Sequence, residues 1–232
     1  MATQGFQPPI EAVNYLAEKY GIDQSSYQLS EIFYNEEEKE YVYIDLEGTP
    51  VHKTIRKVDK SFSQMRYVNG RWEWGLKDTK LVLYNLPAVF KAKKSDETIF
   101  VVEGEKDAET LTRIGLAATT NTLGAGKWKN ALIGGNVVII PDNDLTGEQH
   151  AKHIAEELYN KVRSLKLLEL PGLSVKGDVT DWLSQDGSKE ELLDLAEKCL
   201  PYNSEMINKH IIINNGDFFP TPLAKDLIIK EN

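Results

Sequence analysis

The chain is 232 residues long, 41% hydrophobic and 27% charged, a balance that supports a packed core and excludes collagen-like, low-complexity and disordered classes. A single cysteine, Cys199, excludes an intramolecular disulfide framework or a zinc module built on cysteine pairs, and it suits a reducing compartment. With 27 Lys and Arg against 36 Asp and Glu, the net charge is −9, which argues against coating nucleic acid by bulk charge.

Ile10, Val13, Leu16 and Ala17 recur at the spacing of one helix face, with Pro8-Pro9 ahead and Gly21 behind, which predicts a short first helix. Glu31 to Glu40 is an acidic run that reads as a hairpin tip or exposed connector. Tyr41-Val42-Tyr43-Ile44-Asp45 and Val51 to Arg56 are β-prone and flank a Gly-containing loop, so a hairpin is expected. A second hairpin is signalled by Asn69-Gly70 between Tyr67-Val68 and Trp72-Glu73-Trp74. Between Val51 and Lys94 eleven basic residues stand against three acids, leaving 16 bases and 33 acids elsewhere. Such a split suits a protein that holds polyanion backbone with one part and collects metal ions with another, or simply an unevenly charged surface.

From residue 96 the texture changes. Ile99 to Val102 and Val137 to Ile140 are continuous apolar runs, as expected of strands buried on both faces of a parallel sheet. Leu165 to Leu170 is a third, and Ala117 to Thr120 a weaker candidate. Amphipathic helices are predicted over Asp107–Ile114, Gly147–Val162 and Ser188–Leu200. Alternating strands and helices predict an α/β, mostly parallel sheet flanked by helices, preceded by a small β-rich α+β subdomain. The expected boundaries are 1–95, 96–200 and a tail at 201–232. No apolar run is long enough to span a bilayer, and Met1-Ala2-Thr3-Gln4-Gly5 carries no signal pattern. The expectation is therefore a cytoplasmic protein without a membrane partner.

Function in an open α/β sheet belongs at the carboxyl ends of its strands. There the first strand runs into Glu103-Gly104-Glu105-Lys106-Asp107, and the strongest runs into Pro141-Asp142-Asn143-Asp144. In extended chain Asp142 and Asp144 project to the same side. Like charges at 4 Å cost about 4 kcal/mol at an effective dielectric of 20, so a gathered set calls for compensation, and hard oxygen donors suit Mg²⁺ or Mn²⁺. Taken separately, each motif also fits a helix N-terminus or a capped turn.

The paired motifs, Val102 to Asp107 and Pro141 to Asp144, closely resemble the Toprim domain shared by bacterial-type primases, topoisomerases and some nucleases, over about residues 96 to 185. Leu83-Tyr84-Asn85-Leu86 resembles the approach to that core in replicative primases. Lys176-Gly177-Asp178-Val179-Thr180-Asp181-Trp182 resembles the Lys-Asp segment after its last strand, with a Gly between Lys and Asp. The resemblance implies a Toprim-like (Rossmann-like) sheet with Glu103, Asp142 and Asp144 as catalytic, metal-binding acids. It adds Asp107 and Asp178 as outer or second-metal ligands, and two Mg²⁺ or Mn²⁺ ions as cofactors, without zinc. It implies a primase core that makes short primers on single-stranded DNA from nucleoside triphosphates, in phage, plasmid or mobile-element replication. A replicative helicase, fused or separate, would be a partner. A Toprim nuclease and a non-catalytic nucleic-acid-binding module for replication or defence remain the alternatives. Topoisomerase activity is disfavoured by size.

Candidate nucleotide and nucleic-acid contacts are Lys106, Lys127, Arg56, Lys57, Arg66, Arg71, Trp74 and Lys77, since single-strand binding combines cationic and aromatic surface. Leu123 to Trp128 is no phosphate loop, because position 121 is Asn and 128 is Trp. Lys127 and the loop's backbone amides could still approach phosphate. Of Trp72 and Trp74, core packing is expected to take one. His150 and His153 have a chelating spacing, but a solvated helix face explains them better.

Overall fold

The computed structural model describes residues 38–120 and 129–203. The helix expected at 10–20, residues 31–37 of the acidic run, the Gly-rich stretch with Lys127 and the tail from 204 lie outside the described residues.

Two four-stranded sheets carry the fold, one antiparallel and one parallel, and helices flank the second. The first has the order β1-β2-β3-β4, with β1 Lys39–Ile44, β2 Pro50–Arg56, β3 Phe62–Val68 and β4 Arg71–Trp74. Both expected hairpins are present. In the first connection the Asp45 carboxylate accepts from the Glu47 and Thr49 amides. In the second, Val68 pairs with Arg71 across Asn69 (φ 50°) and Gly70 (φ 82°), the two left-handed positions that a primed hairpin turn requires.

The chain divides into two compact units. Among described residues one comprises Lys39 and Ile55–Phe62, the other Glu40–Thr54 and everything from Ser63 onward. In the small unit a turn is closed by Lys57 N–H donating to the Ser61 carbonyl (2.9 Å), and the Arg56 guanidinium lies 5.9 Å from the Phe62 ring centre.

The parallel sheet has the order β6-β5-β7-β8, with β5 Thr98–Val101, β6 Ala117–Thr119, β7 Asn136–Ile139 and β8 Ser164–Leu167. Alternation along the strands splits its side chains between two cores. Ile99, Val101, Val137 and Ile139 pack with Val89 and Ala92 of α1 (Leu86–Lys94), Leu132 of α3 (Lys129–Leu132) and Ile154 of α4 (Leu145–Leu158). Phe100, Val102, Val138 and Ile140 pack with Leu111 of α2 (Glu105–Arg113), Trp182 of α5 (Val179–Ser184) and Leu192 of α6 (Lys189–Lys198). Each fully buried Val, Leu, Ile or Phe side chain among them contributes roughly 1.5–3 kcal/mol of transfer free energy. Helix α1 was not expected, and its core is that of the parallel sheet, although it precedes residue 96. Helix α4 stops at Leu158 instead of Val162, with Asn160 at φ 61° turning the chain, and β8 ends at Leu167, short of Leu170. Among the described residues no helix is long and apolar enough to cross a membrane.

The antiparallel sheet meets α2 through aromatic side chains. Tyr43 is 1% exposed, packs edge-on to Tyr84, and donates its hydroxyl to Glu105 Oε1 at 2.9 Å. His52 stacks on Tyr43 with ring centres 4.0 Å apart, and its buried Nδ1 finds no hydrogen-bond partner among the described residues. Burial pushes the His52 pKa from 6.5 down to about 4, so the folded protein keeps the ring neutral. The unfolded chain takes up that proton first. Stability from this site is therefore complete above pH ~6.5 and is lost as pH falls toward 4. Between pH 7.5 and 5 the expected loss is about 1–2 kcal/mol. It would be read as the extra pH dependence of urea unfolding in the wild type over His52→Phe; identical pH dependence in both would refute the assignment.

Candidate active site at the carboxyl edge of the parallel sheet

Strands β5 and β7 lie side by side, Val101 paired with Ile139, and the Ile140 amide donates to the Val101 carbonyl at 2.9 Å. Continuing that register sets Glu103 abreast of Pro141, one residue from Asp142. Glu103 is anchored through its carbonyl, which accepts from Thr120 Oγ1 at 2.6 Å.

Helix α2 begins directly after, with Gly104 at its N-cap. A Cβ there would stand 3.3 Å from Asp107 Oδ2. Asp107, 4% exposed, accepts at Oδ1 from the Thr180 hydroxyl (2.6 Å) and the Thr180 amide (3.4 Å). Burial, with help from Asp178, pushes the Asp107 carboxyl up to about 6 against those bonds. Asp178 caps α5 by accepting from the Asp181 amide at 2.8 Å, in a capping box, and its other oxygen accepts from Lys106 Nζ at 2.7 Å. Asp144 caps α4, accepting from the Gly147 amide at 2.9 Å.

Asp142 is the electrostatic centre of the group. Burial, followed by the charges of Glu103, Asp107, Asp178 and Asp144, pushes its carboxyl up to about 7. Asp142 thus feels the charges of the other four acids singled out from sequence, and the five divide into two sets. Asp107, Asp144 and Asp178 spend oxygens on backbone, hydroxyl or ammonium donors. Among the described residues the Glu103 and Asp142 carboxylates accept no hydrogen bond. No three His, Cys, Asp or Glu among the described residues stand in a ready-made arrangement for a metal ion.

Several contributors were not singled out from sequence. Gly147 lets α4 press against the end of β7, since a Cβ there would meet the Asp142 carbonyl at 2.6 Å and the Asp142 Cβ at 3.0 Å. Asn143, between the two aspartates, donates its side-chain amide to the Leu173 (2.7 Å) and Ser174 (3.0 Å) carbonyls. Thr180 holds Asp107, and Tyr43 holds Glu105. The x of an Asp-x-Asp pattern and a contact between residues 43 and 105 leave no local trace, while a Gly in the first turn of a helix is at least a cue for close approach.

The basic candidates scatter. Arg66 is buried and ion-paired with Glu73, so its charge is spent. Lys106 is committed to Asp178. Arg71 and Lys77 are exposed, as is Trp74 at 66%. Trp72 takes the packing role, with Lys53 Nζ 4.8 Å from its ring centre and Tyr67 edge-on beside it. Arg56 and Lys57 lie in the small unit. His153 is on the exposed face of α4, and His150 lines a small cavity with Glu103 and Gly147.

The fold is similar to that of solved DNA primase cores. Among solved structures, the chain superposes on the DnaG catalytic core with a TM-score of 0.55 at 16% identity, over 84% of this chain and 66% of that one. It matches a DNA primase domain from Pseudomonas aeruginosa (TM-score 0.54, 16% identity, 75% of this chain, 55% of that one). It also matches the Aquifex aeolicus primase zinc-binding and RNA polymerase domains (0.55, 18%, 90% and 54%). The chain thus spans about 54–66% of the length of these structures. At such identities the likeness is one of fold. No family model and no curated protein sequence matches the chain.

Gly147→Ala is expected to cost about 1–3 kcal/mol, because backbone blocks the added methyl. Thermal unfolding should show a fall of about 3–10 °C in melting temperature; an unchanged value would mean that α4 can withdraw from Asp142 freely.

Proposed function

We propose that this chain is a Toprim-type primase core, joining nucleotides into short RNA on single-stranded DNA. The observation that carries the reading is the pair of uncommitted carboxylates, Glu103 and Asp142, on adjacent strand ends of a primase-core fold, with three further acids held around them.

The donor set suits a hard divalent cation such as Mg²⁺ or Mn²⁺, because it consists of carboxylate oxygens whose mutual repulsion a cation relieves. Glu103, Asp142 and Asp144, through the oxygen not used for capping, would hold it, with Asp107 and Asp178 outside them. Such an ion, once bound, neutralises phosphoryl oxygens and lowers the pKa of an attacking hydroxyl. The protein's part is to fix the acids. In the reaction the primer 3′-hydroxyl oxygen forms a bond to the α-phosphorus, the bond to the β-phosphate oxygen breaks, pyrophosphate leaves, and the hydroxyl proton passes to solvent. Exposed Trp74 and Arg71 on the antiparallel sheet, with exposed Lys77 in the turn after it, supply stacking and charge for a single strand, each stacked base contributing about 1–3 kcal/mol. A replicative helicase, fused or separate, is the partner this role implies.

The test is synthesis from labelled ribonucleotides on single-stranded DNA with Mg²⁺ or Mn²⁺. New oligoribonucleotides should form with the wild type and fall at least about 100-fold with Asp142→Ala and with Glu103→Ala, the scale of an essential electrostatic group. Shortening of the template without synthesis would make the protein a nuclease, and binding without either would make it a non-catalytic module. Trp74→Ala should weaken single-strand binding about 5- to 100-fold in a fluorescence titration, with folding unchanged.

A further inference from the structure

Residues 172–177, between β8 and α5, form a loop that ends at the acidic site. Its far end runs into Asp178, and its middle is tied to Asn143. The Asn143 amide donates to the Gly177 carbonyl, the Lys176 amide donates to the Asn143 carbonyl, both at 2.9 Å, and the Asn143 side chain holds Leu173 and Ser174. These four bonds make the loop and the Asp142–Asp144 segment one piece. What the loop presents outward is unusual for a connection so firmly held. Val175 is 81% exposed, and Lys176 is exposed with φ 66°, a conformation disfavoured for a side chain of its kind. Among the described residues the Lys176 ammonium is in no ion pair, although its backbone is bonded to the residue between two site aspartates. By contrast, Lys106 is bound to Asp178 and Arg66 to Glu73.

We propose that Lys176 is a nucleotide-binding residue, its ammonium engaging the β- and γ-phosphates of a nucleoside triphosphate whose α-phosphate is held over the acids. An uncommitted cation on a flexible stem, rooted beside carboxylates yet neutralising none of them, is matched to a polyanion that arrives with its own counterions. The left-handed backbone at Lys176 is a local cost retained for that contact. The inference rests on the reading of the acidic edge as a nucleotide site and adds to it the cation on its phosphate side.

The test is titration calorimetry of the full chain with a non-hydrolysable ATP analogue in Mn²⁺, comparing wild type, Lys176→Gly, Lys176→Asn and Lys176→Arg. Gly and Asn both accept a positive φ, so their melting temperatures should equal or exceed the wild type's. Their nucleotide affinity should nonetheless fall at least fivefold, and Arg should hold it within about twofold. Affinity unchanged in Lys176→Gly and Lys176→Asn overturns the inference and leaves the proposed function intact. A wild type that binds the analogue but makes no primers counts against that function alone, and a wild type that binds no nucleotide overturns both.

Discussion

Negative charge collected on one edge of a sheet must be held against its own repulsion, and much of the surrounding structure can be understood as the means of holding it. A pair of like charges at contact costs about 4 kcal/mol at an effective dielectric of 20, whereas one hydrogen bond to a charged group returns about 1.5–3 kcal/mol. Asp178 receives two such bonds, Asp107 two, both from Thr180, and Asp144 one. Those bonds fix the three side chains in place. Glu103 and Asp142 receive none from the described residues, and at Asp142 burial first, then the charges of its neighbours, pushes the carboxyl up.

The division of labour follows from where each acid stands on its element. Helix starts offer amide donors, so an aspartate at an N-cap is satisfied by the helix it begins. A residue that closes a buried parallel strand has no such donors, because the strand's amides are spent on its neighbours. The fold thus leaves some of these acids hydrogen-bonded and others, Glu103 and Asp142, without such bonds from the described residues, and it is the latter that the proposed function uses.

Much of this was legible along the chain. Continuous apolar runs announced β5 and β7, and the Asn69-Gly70 pair announced its hairpin, since each depends on residues adjacent in sequence. The acids at the strand ends were legible for the same reason. What they do individually was not: Asp178 reads as a ligand in a motif, but it is the capping box and Lys106 that occupy it. Glu105 fits a helix-dipole role on sequence, yet it is 4% exposed and bonded to Tyr43, a partner 62 residues away. Helix α1 was missed although Pro87 stands at its start and Lys91, Lys93 and Lys94 fill its last turn, both ordinary boundary cues. Its interior is short and of mixed polarity, and its packing against the parallel sheet is what fixes it.

The bond from Tyr43 to Glu105 bears on how separable the parts of this protein are. A boundary near residue 95 looks like a convenient place to cut, with β strands before it and an α/β sheet after it. Excising the earlier part would remove Tyr43 together with Tyr84, stripping a phenol donor from the buried Glu105 carboxylate at the start of α2, two residues from each of Glu103 and Asp107. Modular exchange at that seam, whether by recombination or in the laboratory, is therefore constrained to carry a matching hydroxyl donor along with the α/β part.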